Sequence, residues 1–85
     1  MQVEIRLPEL GAAPAVLSVW FAEEGERVYE GDRVIEVLVD GATFDVPGPA
    51  TGRLLEKRVL PDEELYIGQV LGIIESDPTG NEAGD

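Results

Sequence analysis

The chain repeats itself once, at an offset of 37 residues: Leu17 recurs as Leu54, Glu26 as Glu63, Tyr29 as Tyr66 and Gly31 as Gly68. Val28 likewise matches Leu65, Val34 matches Leu71 and Val37 matches Ile74, so apolar positions fall on apolar positions. Two copies are too few for a solenoid, whose units need several stacked neighbours to bury a continuous core. They specify two similar halves related by an approximate two-fold axis and meeting between Asp40 and Gly52. The fold must therefore be one that a single pattern can build twice.

Local patterning says that the pattern is made of strands. Val3 to Leu7 alternates, with Val3, Ile5 and Leu7 on one face, the period of a half-buried strand. Ala15 to Phe21 and Arg33 to Val39 are short runs rich in β-branched and aromatic residues. Thr43 to Val46 alternates with Phe44 and Val46 inward, and Arg53 to Val59 and Gln69 to Glu75 complete the set. Gly11, Gly25, Gly31, Pro47-Gly48-Pro49, Gly52, Pro61-Asp62 and Gly68 punctuate these runs as turns. No stretch combines helical spacing with caps. Short strands at this spacing predict an all-β sandwich or barrel.

Composition narrows the function. A chain of 85 residues makes one small domain, and without cysteine neither a disulfide nor a thiolate metal site can brace it. Histidine is absent too, which removes the commonest general base and transition-metal ligand. A net charge of −12 repels nucleic-acid phosphates and anionic membrane surfaces, and steers the domain toward basic partner surfaces. No apolar run approaches the about 20 residues that span a bilayer. Met1-Gln2-Val3-Glu4 has neither the basic start nor the apolar run of a signal peptide, so the expectation is cytoplasmic.

Individual residues carry further expectations. Asp40-Gly41 between two strand runs is a strong signal for a type I′ hairpin, which needs φ > 0 at both central residues. Leu38 and Val39 precede it, and because strand side chains alternate, one of them must face outward. Trp20 and Phe21 face opposite sides for the same reason, and one of them is core. Lys57, the single lysine, reads as a solvated strand residue. Glu23-Glu24-Glu26 and Asp62-Glu63-Glu64 occupy equivalent loops and read as solvated charge; neither has the spacing of an EF-hand calcium loop. Phosphate loops, nucleophile elbows and zinc spacings are absent.

The stretch Val37 to Pro47, with Asp40-Gly41-Ala42 at its tip, resembles the hairpin of a lipoyl domain. That family carries Asp-Lys-Ala there, and the lysine holds a lipoyl group in amide linkage. Ile5 to Gly11 resembles the family's opening strand and turn, Glu24 to Val28 and Gly31-Asp32 its central loop, Val46 to Gly52 its crossover, and Ile67 to Glu75 its closing strand. The biotinyl branch usually has Met-Lys-Met at the tip, so Asp40 and Ala42 favour the lipoyl branch. Efflux adaptors share a related fold but usually split the halves with a long helical hairpin, where this chain has a tight turn.

The resemblance implies a flattened barrel–sandwich of two four-stranded antiparallel sheets over residues 1–75, and a non-catalytic domain. Residues 76–85 then form a disordered acidic tail or the start of a linker. The family role is that of a swinging-arm carrier in 2-oxo acid dehydrogenase-type complexes. The acceptor position reads Gly41, flanked by Asp40 and Ala42, which implies no lipoyl cofactor and no working carrier. The alternative is a non-catalytic interaction module that docks on a partner enzyme through the former carrier surface, with Leu38 and Val39 as its contacts. The expected partner is a larger enzyme complex or a basic protein surface, with no nucleic acid and no membrane.

Overall fold

The computed structural model describes residues 1–11 and 14–78 and contains eight strands. They are β1 (Gln2–Arg6), β2 (Ala15–Trp20), β3 (Arg27–Val28), β4 (Arg33–Val39), β5 (Ala42–Pro47), β6 (Gly52–Lys57), β7 (Glu64–Leu65) and β8 (Val70–Ser76). They form two four-stranded sheets, the first in the order β1-β8-β6-β3 and the second in the order β5-β4-β2-β7, with every pairing antiparallel. This is the expected all-β architecture, and six of the eight strands lie on the expected runs.

The repeat maps one sheet onto the other, β2 onto β6, β3 onto β7 and β4 onto β8. Irregularities are copied along with the strands. The β2–β4 register shifts between Leu17 and Val19, and the β6–β8 register shifts between Leu54 and Glu56. Residues paired by the repeat are paired in burial: Leu17 and Leu54 are both 0% exposed, and so are Val37 and Ile74. Sequence identity across the halves thus reflects one shared core, to which Ile5, Leu7, Ile35 and Val59 also contribute.

The short strands β3 and β7 were not legible in the sequence, because two residues carry no period. They hold the halves together. β3 follows β2 in the chain but pairs with β6 of the first sheet, and β7 follows β6 but pairs with β2 of the second. The loops before them clasp the opposite half. Leu17 N–H donates to Glu63 O at 3.0 Å and Asp62 N–H donates to Leu17 O at 2.8 Å. Leu54 N–H donates to Glu26 O at 2.9 Å and Gly25 N–H donates to Leu54 O at 2.7 Å.

Two expectations are corrected and a third, left open between two residues, is decided. Phe44 lies on the inward side, opposite Val37, but is 40% exposed, because β5 is an edge strand and only one neighbour covers it. Ser76, placed outside the domain, closes β8, and its N–H donates to Met1 O at 2.8 Å. Asp77 N–H donates to Thr51 O at 2.9 Å, and the Asp77 carboxylate takes the guanidinium of Arg27, so ordered chain runs past the expected boundary. Residues 79–85, the rest of the expected tail, lie outside the described residues. Finally, Trp20 is the buried member of its pair, with its indole N–H donating to Val59 O at 3.0 Å, while Phe21 is 38% exposed beneath the Arg33 guanidinium.

Three substitutions test this packing, with the single tryptophan, Trp20, as fluorescent reporter. A Cβ on Gly52 would lie 2.0 Å from Glu75 O, a backbone atom that cannot swing away. Gly52→Ala should lower the unfolding free energy by about 3 kcal/mol or more in urea titration. An unchanged midpoint would mean that β6 and β8 are not this close. Leu17→Ala and Leu54→Ala should each cost about 3 kcal/mol, and similar amounts, since they empty equivalent sites. A loss at one position only would show that the core is not symmetric.

Candidate functional site

The hairpin tip forms as its residues require. β4 and β5 run in register through Val37↔Phe44 and Leu38↔Thr43 to a final pair, Val39↔Ala42, which leaves Asp40 and Gly41 to reverse the chain. Their φ values are +51° and +80°, both positive as a type I′ turn demands. Asp40, Gly41 and Ala42 are all exposed. A Cβ placed on Gly41 would meet nothing within 4 Å, so the site offers open space for a side chain and opposes one only through its backbone conformation.

Strand alternation divides the two apolar residues before the turn. Val39 is 5% exposed and belongs to the core cluster, whereas Leu38 is 40% exposed on the outer surface. Val39 is therefore removed as a contact residue: β4 turns it inward, opposite Ala15 of β2. Leu38 remains, and Phe44 joins it beside the tip through its edge-strand exposure.

Lys57 is not the solvated residue expected. It lies on β6 of the first sheet, whereas the hairpin belongs to the second. Its side chain is 18% exposed, with Nζ 3.1 Å from a Glu23 carboxylate oxygen and 5.4 Å from the centre of the Trp20 ring. An amine so covered and paired is a poor acceptor, since acylation needs it free.

The acidic loops serve their own backbones. A Glu26 carboxylate oxygen accepts from Glu23 N–H at 2.9 Å, and in the equivalent loop a Glu63 carboxylate oxygen accepts from Leu60 N–H at 3.0 Å. Glu24 accepts from Lys57 N–H at 2.9 Å. Among the described residues no group of three or more Asp or Glu side chains is placed to hold a metal ion. The matched Glu26 and Glu63 in the repeat are the signal that could have revealed this capping role.

A family model described as "Biotin-requiring enzyme" matches residues 3–74. The lipoamide acyltransferase component of the branched-chain alpha-keto acid dehydrogenase complex of Pseudomonas putida is 32% identical over 79 residues. That alignment covers 91% of this chain and 19% of the relative. The dihydrolipoyllysine-residue succinyltransferase component of the 2-oxoglutarate dehydrogenase complex of Bartonella vinsonii subsp. berkhoffii is 32% identical over 78 residues, covering 89% of this chain and 19% of the relative. The chain thus spans about a fifth of the length of these relatives. The solution structure of the lipoyl domain of the 2-oxoglutarate dehydrogenase complex from Azotobacter vinelandii superposes with a TM-score of 0.66 at 18% identity. That superposition covers 89% of this chain and 98% of that one, and shows the shared fold. With the sheets, the hairpin and the family match in agreement, the chain belongs to the biotin/lipoyl attachment family, as a non-catalytic domain with the lipoyl-domain fold.

Proposed function

We propose that this is a lipoyl-type domain of a 2-oxo acid dehydrogenase-type complex whose acceptor position is Gly41, so that it remains unmodified and is not itself a working cofactor carrier. One observation carries the reading: the residue at the exposed tip of the β4–β5 hairpin is glycine, in a type I′ turn. A tethered cofactor brings the chemistry, and the tether raises its effective concentration at each active site within reach. Both require a nucleophilic side chain at the tip, and Gly41 has none. The residues present at the tip therefore do not fit an amide-linked lipoyl group. A larger enzyme complex as partner and a cytoplasmic location belong to the same proposal.

A second reading, an interaction module that docks on an enzyme through this end of the molecule, is favoured by the exposure of Leu38 and Phe44 beside the turn. Exposed apolar side chains at a rigid tip suit a contact surface.

Intact-mass analysis separates the readings. Protein co-expressed with lipoyl and biotinyl ligases should have its unmodified mass, and an added lipoyl or biotinyl group mapped to Lys57 would overturn the proposal. Gly41→Lys should become an acceptor, because Asp40 and Ala42 already flank the site and nothing lies within 4 Å of the new Cβ. The same variant should lose about 1 kcal/mol of stability, read as a lower urea midpoint, because residue 41 has φ +80°. A folded Gly41→Lys variant left unmodified by active ligase and lipoate would restrict the likeness to the fold and favour the interaction module.

A further inference from the structure

The two-fold relation supplies an internal control, because each surface position of one sheet has a counterpart on the other. On the outer face of the second sheet Val16 pairs with Leu38, and Val19 pairs with Glu36. Their counterparts on the first sheet are the cross-strand pair Arg53↔Glu75 and the residue Glu56. The loops that flank β7 differ in the same sense from those that flank β3. Leu60 stands where the first half has Glu23, and Ile67 where it has Glu30. Five charged positions on one side are thus apolar on the other. Val19 is 38% exposed, Leu38 40%, Leu60 67% and Ile67 60%. The first sheet has its own outward apolar residue, Ile73, but it is buried between Glu4 and Glu56. Two positions run the other way. Phe21, 38% exposed, lies under the Arg33 guanidinium at 4.4 Å where the second half has Arg58, and Leu55, 44% exposed, lies on β6 where the first half has Ser18.

The cations are divided too. The strands of each sheet carry three carboxylates, Glu4, Glu56 and Glu75 in the first, but the first also carries four cations, Arg6, Arg27, Arg53 and Lys57, three of which hold carboxylates. The strands of the second sheet carry Glu36, Asp45 and Glu64 and one cation, Arg33, which lies 4.0 Å from Asp45. We infer that the outer face of the second sheet is a docking surface for a partner protein whose contact region is apolar at its centre and bordered by lysine or arginine. Val16, Val19 and Leu38 supply the apolar centre, and Glu36, Asp45 and Glu64 the acidic border. Interfaces combine such a centre with a polar rim, and opposite charge guides the encounter. A second copy of this chain is the wrong partner, since two acidic faces on molecules of charge −12 repel. The surface is independent of what residue 41 carries.

The test is an NMR titration of the labelled domain with a short amphipathic peptide, leucine on one face and lysine on the other. A control peptide of equal charge has serine in place of leucine. Shift changes should centre on Val16, Val19 and Leu38, and the serine peptide should bind more weakly by about tenfold. Val19→Gln with Leu38→Gln should weaken the leucine peptide by about tenfold, whereas Leu55→Gln, which removes an exposed leucine from the opposite sheet, should change it by less than about twofold. Each single variant is also measured, with urea midpoints confirming the fold. Changes centred on the first sheet, equal binding of the serine peptide, or an equal loss with Leu55→Gln would each overturn the inference. Sedimentation of the domain as a dimer that Leu38→Gln dissociates would assign the face to a second copy and overturn it too.

Discussion

Everything in this domain depends on how Leu17 and Leu54 are held. Each is fully buried at a bulge in its strand, and each has both backbone polar groups bonded to a loop from the other half. A buried backbone group without a partner would be costly. The loops around Gly25 and Asp62 must therefore cross to the opposite sheet, and the two-residue strands after them follow. The crossing turns two sheets into one closed core, and it does so with contacts between residues far apart in sequence. No half can satisfy its own bulge, so neither half is a domain. A fold made of such distant pairings loses chain entropy before the contacts reward it, which is the reason that β-rich domains fold slowly for their size.

Most of the frame was legible from the alternation of the six longer strands and from the repeat. The repeat even named the central core residues, since apolar matches such as Val34 with Leu71 are the positions that the sheets share. What escaped had physical causes. β3 and β7 are too short to show a period. Phe44 has the inward phase of a core residue, but phase does not say that its strand is an edge. Lys57 looked solvated because its cover comes from Trp20 and Glu23, both distant in sequence. At the site, Asp40-Gly41 announced both the turn and its handedness. Between Leu38 and Val39, alternation required one to face out, and only the pairing of Val39 with Ala15 decided which.

The glycine at the tip and the apolar face beside it concern different kinds of function. A carrier needs one reactive group on a projecting turn. A docking domain needs area, and in this chain the area is distributed unequally between two faces that the repeat would otherwise make alike. Salt bridges hold three of the four strand cations of the first sheet. The second is left acidic at its border and uncovered at its centre.

The β4–β5 hairpin also has a counterpart, and it is not a hairpin. Under the two-fold relation β4 maps to β8 and β5 to β1, so the turn at Asp40 and Gly41 corresponds to the place where β8 leaves the sheet and β1 enters it. There Ser76 donates its N–H and its hydroxyl to Met1 O, and the N-terminal amine lies 2.6 Å from Glu75. Hydrogen bonds thus join β8 to β1 at the end where covalent chain joins β4 to β5. A two-residue bridge from Ser76 to Met1 would make that joint covalent as well, and a chain opened at the hairpin instead would keep every strand pairing. The order of the strands along the chain is separable from their order in the sheets.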